Sequence, residues 1–331
     1  MNLSELTTPA LVVDSVDFQH NLSTMTKALP GARLRPHVKA HKTTALARRQ
    51  YEAGHRSFTC ATMGEVEGMA AAGLGDDLML ANEVVDARRL GKVVAGGARV
   101  TLAVDSEATI AAAAAGGVHE VVIDVNVGLP RCGCDPEDAG RLADLARGAG
   151  LDVRGVMGYE GHVVGLESRD ERTRQVGESM ALLVQAHDLT GGELISAGGT
   201  GTYDINTWAN EIQAGSYALM DTAYAKLELP FRNALTVLAT VISVNPGGWA
   251  VADCGLKSLG MDHGNPTIDG ALVWFCSDEH LTFSSDPLPK VGDRIRVLPA
   301  HVDPTIAYHE RMHLVDGDDV IDTWAVDLRG W

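Results

Sequence analysis

Cysteine is scarce in this chain and basic residues are outnumbered; no long apolar run occurs. The five cysteines (60, 132, 134, 254 and 276) are scattered and odd in number, so they form no disulfide framework. RCGC at 131–134 is too tightly spaced for a paired zinc motif, and no second cysteine pair follows. Reduced thiols in a cytoplasmic protein are expected. Lys plus Arg number 27 against 44 Asp plus Glu, a formal charge of -17. That balance excludes nucleic acid and anionic membrane as natural partners, because both require a basic face. No stretch of about 18 apolar residues is present, so no spanning helix is expected. The alanine tract 111–115 is broken by Gly116 and Gly117. The opening MNLSELTTPALVVDSVDF has no charged segment leading into an apolar core, so no signal peptide is expected.

What is present is an alternation. Short apolar runs (ALVVD 10–14, LRPHVKA 34–40, SFTCA 57–61, DLMLA 77–81, VTLAVD 100–105, VVIDVNVG 121–128, VRGVMGYEG 153–161, ELISAGG 193–199) are separated by helix-length segments. Ser106 is a candidate N-cap for one of these. Strand and helix repeated about eight times predict a parallel sheet with helical crossovers, closed as a (β/α)8 TIM barrel. An open doubly wound sheet has the same periodicity. Beyond about residue 235, TVLATVISVNPGGWAVADCG, ALVWFCSDEHLTFSS and DRIRVLPAH are β-rich, with no helix-length pattern between them. The expected division is a barrel over 8–232 and an antiparallel β domain over 233–331, with 1–7 a candidate addition to the second.

The stretch RLRPHVKAHKT (33–43) packs cations and imidazoles into an acidic chain. A solvated charge run is the plain alternative. As a strand, however, it sends Arg35, His37, Lys39 and His41 to one face and puts Lys39 near the C-terminal end, where barrels keep their chemistry. A lysine in a dry cationic pocket is an imine-forming nucleophile. SAGGTGTYD (196–204) follows an apolar strand and offers backbone N–H groups to a phosphate, although it is neither a Walker loop nor G-x-G-x-x-G. A flexible turn is its alternative. QAGSY (213–217) supplies a second such turn. An early lysine with late glycine turns fits pyridoxal 5'-phosphate, held by an imine at one end and its phosphate at the other. In LPAHVDPTIAYH (298–309), His301 and Asp303 project together if the segment is extended. A nitrogen–oxygen pair without thiolate suits Mn²⁺ or Mg²⁺ over Zn²⁺, and a structural His–Asp pair is the alternative.

In this order, RPHVKAHK, GGTGTY with AGSY, and HVD resemble the D-threonine aldolase and D-serine dehydratase family of fold-type III pyridoxal-phosphate enzymes, relatives of alanine racemase. The resemblance runs from TPALVVD to DTWAVDLRGW. It implies that Lys39, rather than Lys42, carries the imine to the cofactor. It implies a cofactor or substrate contact for Arg131 in IDVNVGLPRCG, and a contact for Tyr159, with His162 beside it, in MGYEGH. Gly199, Thr200, Gly201, Ser216 and Tyr217 are implied at the phosphate, and His301 and Asp303 at the metal. Many dehydratase members have Cys at the second position of HVD and aldolase members often have Asp, so Asp303 implies the aldolase. A low-specificity D-threonine aldolase cleaving small β-hydroxy-D-amino acids to glycine and an aldehyde, a homodimer, is therefore expected. The alternatives are a D-serine dehydratase-like lyase, a D-3-hydroxyaspartate aldolase or dehydratase, and a non-enzymatic cofactor-binding barrel. Asp253, Lys257 and His280 are secondary candidates. His20, His55, His119 and His187 read as ordinary surface or helix-end residues.

Overall fold

The computed structural model describes all 331 residues. They divide into two compact units, one of Met1–Thr24, Ala40–Leu46 and Ser216–Asp327, the other of Met25–Lys39, Ala47–Gly215 and Leu328–Trp331. The chain opens with β1 (Ala10–Asp14) and α1 (Ser15–Ala28).

Seven parallel strands then pair in sequence order: β2 (Ser57–Cys60), β3 (Asp77–Leu80), β4 (Val100–Val104), β5 (Glu120–Asp124), β6 (Asp152–Met157), β7 (Leu194–Ala197) and β8 (Glu211–Ile212). Leu34 bridges Ile212 of β8, and His37 bridges Thr59 of β2, both in parallel. Residues 34–37 are thus the eighth stave, and the sheet is a closed barrel rather than an open one. Pro36 lacks an N–H, so this stave has bridges where its neighbours have ladders. Its recorded backbone bonds are Arg35 N to Ile212 O, His37 N to Ala214 O and Thr59 N to Pro36 O.

Some of the helices between staves begin at a side-chain cap. Ser106 accepts from the Thr109 N–H at the start of α5 (Glu107–Gly116), and Gly117 ends that helix in left-handed backbone at φ 81°.

Asp77 of β3 bonds Arg154 of β6, a non-adjacent strand, so these side chains point into the barrel. Met79 and Ala103, two residues beyond Asp77 and Thr101, continue that inward face. They cluster with Val122, Met157 and Leu194, one residue from each of five consecutive strands. Each Met, Val or Leu side chain so buried contributes about 1.5–3 kcal/mol.

After α8 (Thr222–Ala225) come β9 (Leu235–Asn245), β10 (Trp249–Ala252), β11 (Ala271–Cys276), β12 (Leu281–Ser285), β13 (Arg294–Val297), a short α9 (Val302–Ala307), β14 (Arg311–Asp316) and β15 (Asp319–Ala325). The sheet order is β11-β12-β10-β9-β1-β14-β15, with β13 also on β9. Every pairing is antiparallel except that of β1 with β14. Residues 10–14, expected as a barrel strand, therefore belong to this second sheet. The apolar run ALVV is buried throughout, which suits a central strand of either kind of sheet, so its pattern could not tell the two apart. Val12 packs with Leu3, Leu6, Leu238 and Val315 in that unit's core.

Candidate active site

Lys39 lies on the 3-10 turn Val38–Ala40, just beyond the closing stave, at the C-terminal end of the barrel strands. Its Nζ stands 5.6 Å from the centroid of the Tyr159 ring, and the Arg131 guanidinium carbon is also 5.6 Å from it. Three residues singled out from distant motifs thus meet around one aromatic face, where each cation gains from the ring quadrupole. Tyr159 follows the end of β6. A Cβ on Gly161 would come within 2.5 Å of Tyr159 Cε1, so glycine at 161 makes room for the ring. Gly128 does the same for His162: its φ is 123°, and a Cβ there would meet His162 Cε1 at 2.9 Å.

The expected common face for 35, 37, 39 and 41 does not exist, because pairing stops at His37 and the chain turns. Arg35 lies at the opposite end of the barrel. Its Nε donates to Glu211 Oε1 at 2.8 Å and its Nη2 to Asp77 Oδ2 at 3.1 Å. Arg154 donates to the same Asp77 at 2.8 Å and to Glu193 at 2.8 Å. Burial alone would raise the Asp77 carboxyl; the hydrogen bonds from Arg154 and the charge of Arg35 outweigh it and hold the group well below the usual carboxylate range. This ion network closes the barrel floor and tunes no pocket. Lys42 lies past the turn, in left-handed backbone at φ 47°.

The glycine turn is less open than its composition suggests. The Gly198 N–H donates to Glu160 Oε2 at 3.1 Å, and the Gly199 N–H to Thr202 Oγ1 at 3.2 Å. One expected phosphate donor, the Gly199 N–H, is therefore committed within the turn. A Cβ at Gly199 would make only ordinary contact, 3.6 Å from Tyr159 Cε2, so the position lies beside that ring without requiring glycine. Thr200 is buried in the same turn. Glu160, unremarked in MGYEGH, is the organiser, also accepting from Thr202 Oγ1 at 2.9 Å and Asn206 Nδ2 at 3.2 Å. Its signal was a carboxylate just past the strand Asp152–Met157, among small and apolar residues.

Asp124, ending β5, is pushed well above the carboxylate range by burial and by neighbouring Glu83. The hydrogen bond to Glu83, then burial, pushes the Cys132 thiol up to about 11. All five cysteines are free.

In the other unit, Ser216 and Tyr217 are buried. Ser216 Oγ donates to Asp303 Oδ1 at 3.4 Å, and the Tyr217 ring lies 5.7 Å from that of Phe231. His301 and Asp303 do not share an extended segment: His301 precedes α9 as its N-cap and Asp303 lies in its first turn. Pro304 is compatible with a helix's first turn, which is why it did not enforce extension. His301 Nδ1 meets Asp262 Oδ2 at 2.6 Å, and its ring stacks on His263 with centroids 4.0 Å apart. Asp221 accepts from the Val302 N–H at 2.9 Å. Neither Asp221 nor Asp262 carried a sequence signal.

Of the secondary candidates, Asp253 accepts from Thr8 Oγ1 and the Thr240 N–H, a sheet contact. Lys257 pairs with Glu279 at the surface. His55, expected at the surface or a helix end, lies just past the helix Thr44–Glu52 and is buried, with its ring nitrogens at Gly31 O and Thr26 Oγ1. No helix is long and apolar enough to cross a membrane.

Comparison with known proteins agrees with this architecture. Residues 13–222 match the family model "Alanine racemase, N-terminal domain", and residues 234–315 match "Putative serine dehydratase domain". A D-threonine aldolase from Arthrobacter sp. is 34% identical over 99% of this chain and 94% of its own. The crystal structure of D-threonine aldolase from Filomicrobium marinum superposes with a TM-score of 0.94 at 32% identity, covering 99% of this chain and 97% of that one. A D-threo-3-hydroxyaspartate dehydratase, solved as a cysteine-to-alanine variant in the metal-free form, superposes at 0.91 with 26% identity and complete coverage of both chains. The chain belongs to the D-threonine aldolase and D-serine dehydratase-like family of lyases, built on an alanine racemase-type barrel.

Proposed function

We propose that this protein is a pyridoxal-phosphate- and divalent-metal-dependent aldolase that cleaves β-hydroxy-D-amino acids of the D-threonine type to glycine and an aldehyde. The observation that carries it is the likeness to D-threonine aldolase over the full length of both chains. Asp303, at the position of the HVD motif where many dehydratase members of the family have cysteine and aldolase members often have aspartate, points the same way.

The residues present fit the cofactor. A lysine amine and a guanidinium lie over one aromatic ring at the C-terminal end of the barrel. We assign the imine linkage to Lys39 and an anionic oxygen to Arg131, whose planar fork suits it. Tyr159 is assigned to the ring, and Thr200, Gly201, Ser216 and Tyr217 to the phosphate, with Gly199 beside Tyr159. Bound there, the cofactor supplies an electron sink for the bond broken at Cα. The chain must also remove the proton of the β-hydroxyl as Cα–Cβ cleavage proceeds. We assign that task to the His301 and Asp303 side chains, as holders of Mn²⁺ or Mg²⁺; the metal-free form solved for the dehydratase relative supports a metal in this family. Positioned proton transfer contributes about 10²–10⁴-fold. A cytoplasmic homodimer is the proposed form.

Purified, cofactor-loaded protein assayed with D-threonine and D-serine, with and without Mn²⁺ after chelation, tests the assignment. Glycine and acetaldehyde formed only with metal is the expected result. Pyruvate from D-serine, without glycine from D-threonine, would move the protein to the dehydratases. An imine absorbance with neither product would refute both lyase readings.

A further inference from the structure

Asp262, His263 and His301 bring ligand-type atoms within 4.8 Å of one another. As a three-ligand metal site the cluster fails on geometry. The His263 and His301 rings are stacked, their planes within 6° and their centroids 4.0 Å apart. The lone pair of an imidazole nitrogen lies in the ring plane, so two parallel stacked rings cannot aim at one ion. His301 Nδ1 is also already engaged by Asp262 Oδ2 at 2.6 Å, a short, charge-assisted length.

We propose that Asp262 is a positioning residue for His301. By accepting from Nδ1–H it fixes the tautomer whose lone pair sits on Nε2, sets the angle of the ring and raises its basicity toward a divalent cation. The inference rests on the assignment of His301 as a metal ligand. His263 covers one ring face and opposes rotation away from Asp262. The backbone is held separately: Asp221 accepts from the Val302 N–H at 2.9 Å and from the Tyr224 N–H at 2.9 Å. Asp221 fixes where the motif sits, and Asp262 fixes how its imidazole points. The side chain of Asp262 is 55% exposed, so replacing it removes no core packing.

The test is a Mn²⁺ titration of cofactor-loaded protein, following the free aqua ion by electron paramagnetic resonance, for wild type, Asp262→Ala, Asp262→Asn and His301→Ala. Asp262→Ala is expected to weaken Mn²⁺ binding by about 10–100-fold. Its half-saturating Mn²⁺ concentration for activity should rise by the same factor, with kcat largely recovered at saturating metal. Asp262→Asn retains an acceptor oxygen without the charge and should fall between the two. Asp262→Ser, which cannot reach His301, repeats the test should the alanine variant misfold. Wild-type Mn²⁺ affinity in Asp262→Ala or Asp262→Ser, with binding lost in His301→Ala, would overturn the positioning role alone. Unchanged binding in His301→Ala would overturn the ligand assignment beneath it.

Discussion

Asp124 carries a cost that a single substitution can remove. Burial, with Glu83 beside it, raises its folded-state pKa, so folding favours the protonated form. The unfolded group titrates near 3.9. The stability contributed is therefore full below that value and is lost as pH rises toward the raised folded value. Asp124→Asn should be more stable than wild type at pH 7, by up to about 1.4 kcal/mol for each pH unit of the shift that lies below pH 7. The gap should close as pH falls to about 4, as thermal or urea unfolding at several pH values would record. At this scale, Lys39 was singled out from its strand-to-helix context, and Arg131 and Tyr159 from the family resemblance; the structure brings the three side chains together at one ring. Asp221 and Asp262 act through a backbone N–H and a ring nitrogen brought close only by folding, and no local pattern marks a loop carboxylate for that.

Among the elements, the stave 34–37 bears the greatest consequence. It was legible as a strand and its end as an active-site edge, but parity assigned Arg35 to the pocket because nothing local showed where the extended backbone would stop. Arg35 instead joins that stave to β3 and β8 through Asp77 and Glu211, fully buried. Arg35→Met should destabilise the protein by about 3–5 kcal/mol, the usual cost of stranding buried carboxylates. Ser196, which donates to Glu211 at 2.6 Å, and Arg154, which still serves Asp77, favour the lower end. Urea unfolding checks this, and a loss below about 1 kcal/mol, within the range of exposed ion pairs, would mean the network is dispensable. The α9 turn shows the opposite failure: three residues, His-Val-Asp, are too few to reveal a helical start when the element itself spans only Val302–Ala307.

Taken whole, the chain reads clearly as barrel then β domain, because eight repeats of strand and helix average out local ambiguity. Its first strand escaped that reading, since an apolar five-residue run fits either sheet. The structure has a practical outcome for any attempt to divide the protein. Residues 1–232 would retain β1 but lose both of its partners, β9 and β14. Such a fragment exposes two unpaired apolar edges and is expected to aggregate, as size-exclusion chromatography would show; a monodisperse folded fragment would contradict the pairing. The ionic floor of the barrel also bears on redesign. Lys39 sits four residues from Arg35, on the turn just beyond the one stave that has bridges in place of a ladder, and the charges at the far end are what anchor that stave. Transplanting RPHVKAHK to another barrel without the equivalents of Asp77, Arg154 and Glu211 would carry over the lysine and leave behind what anchors the stave before it.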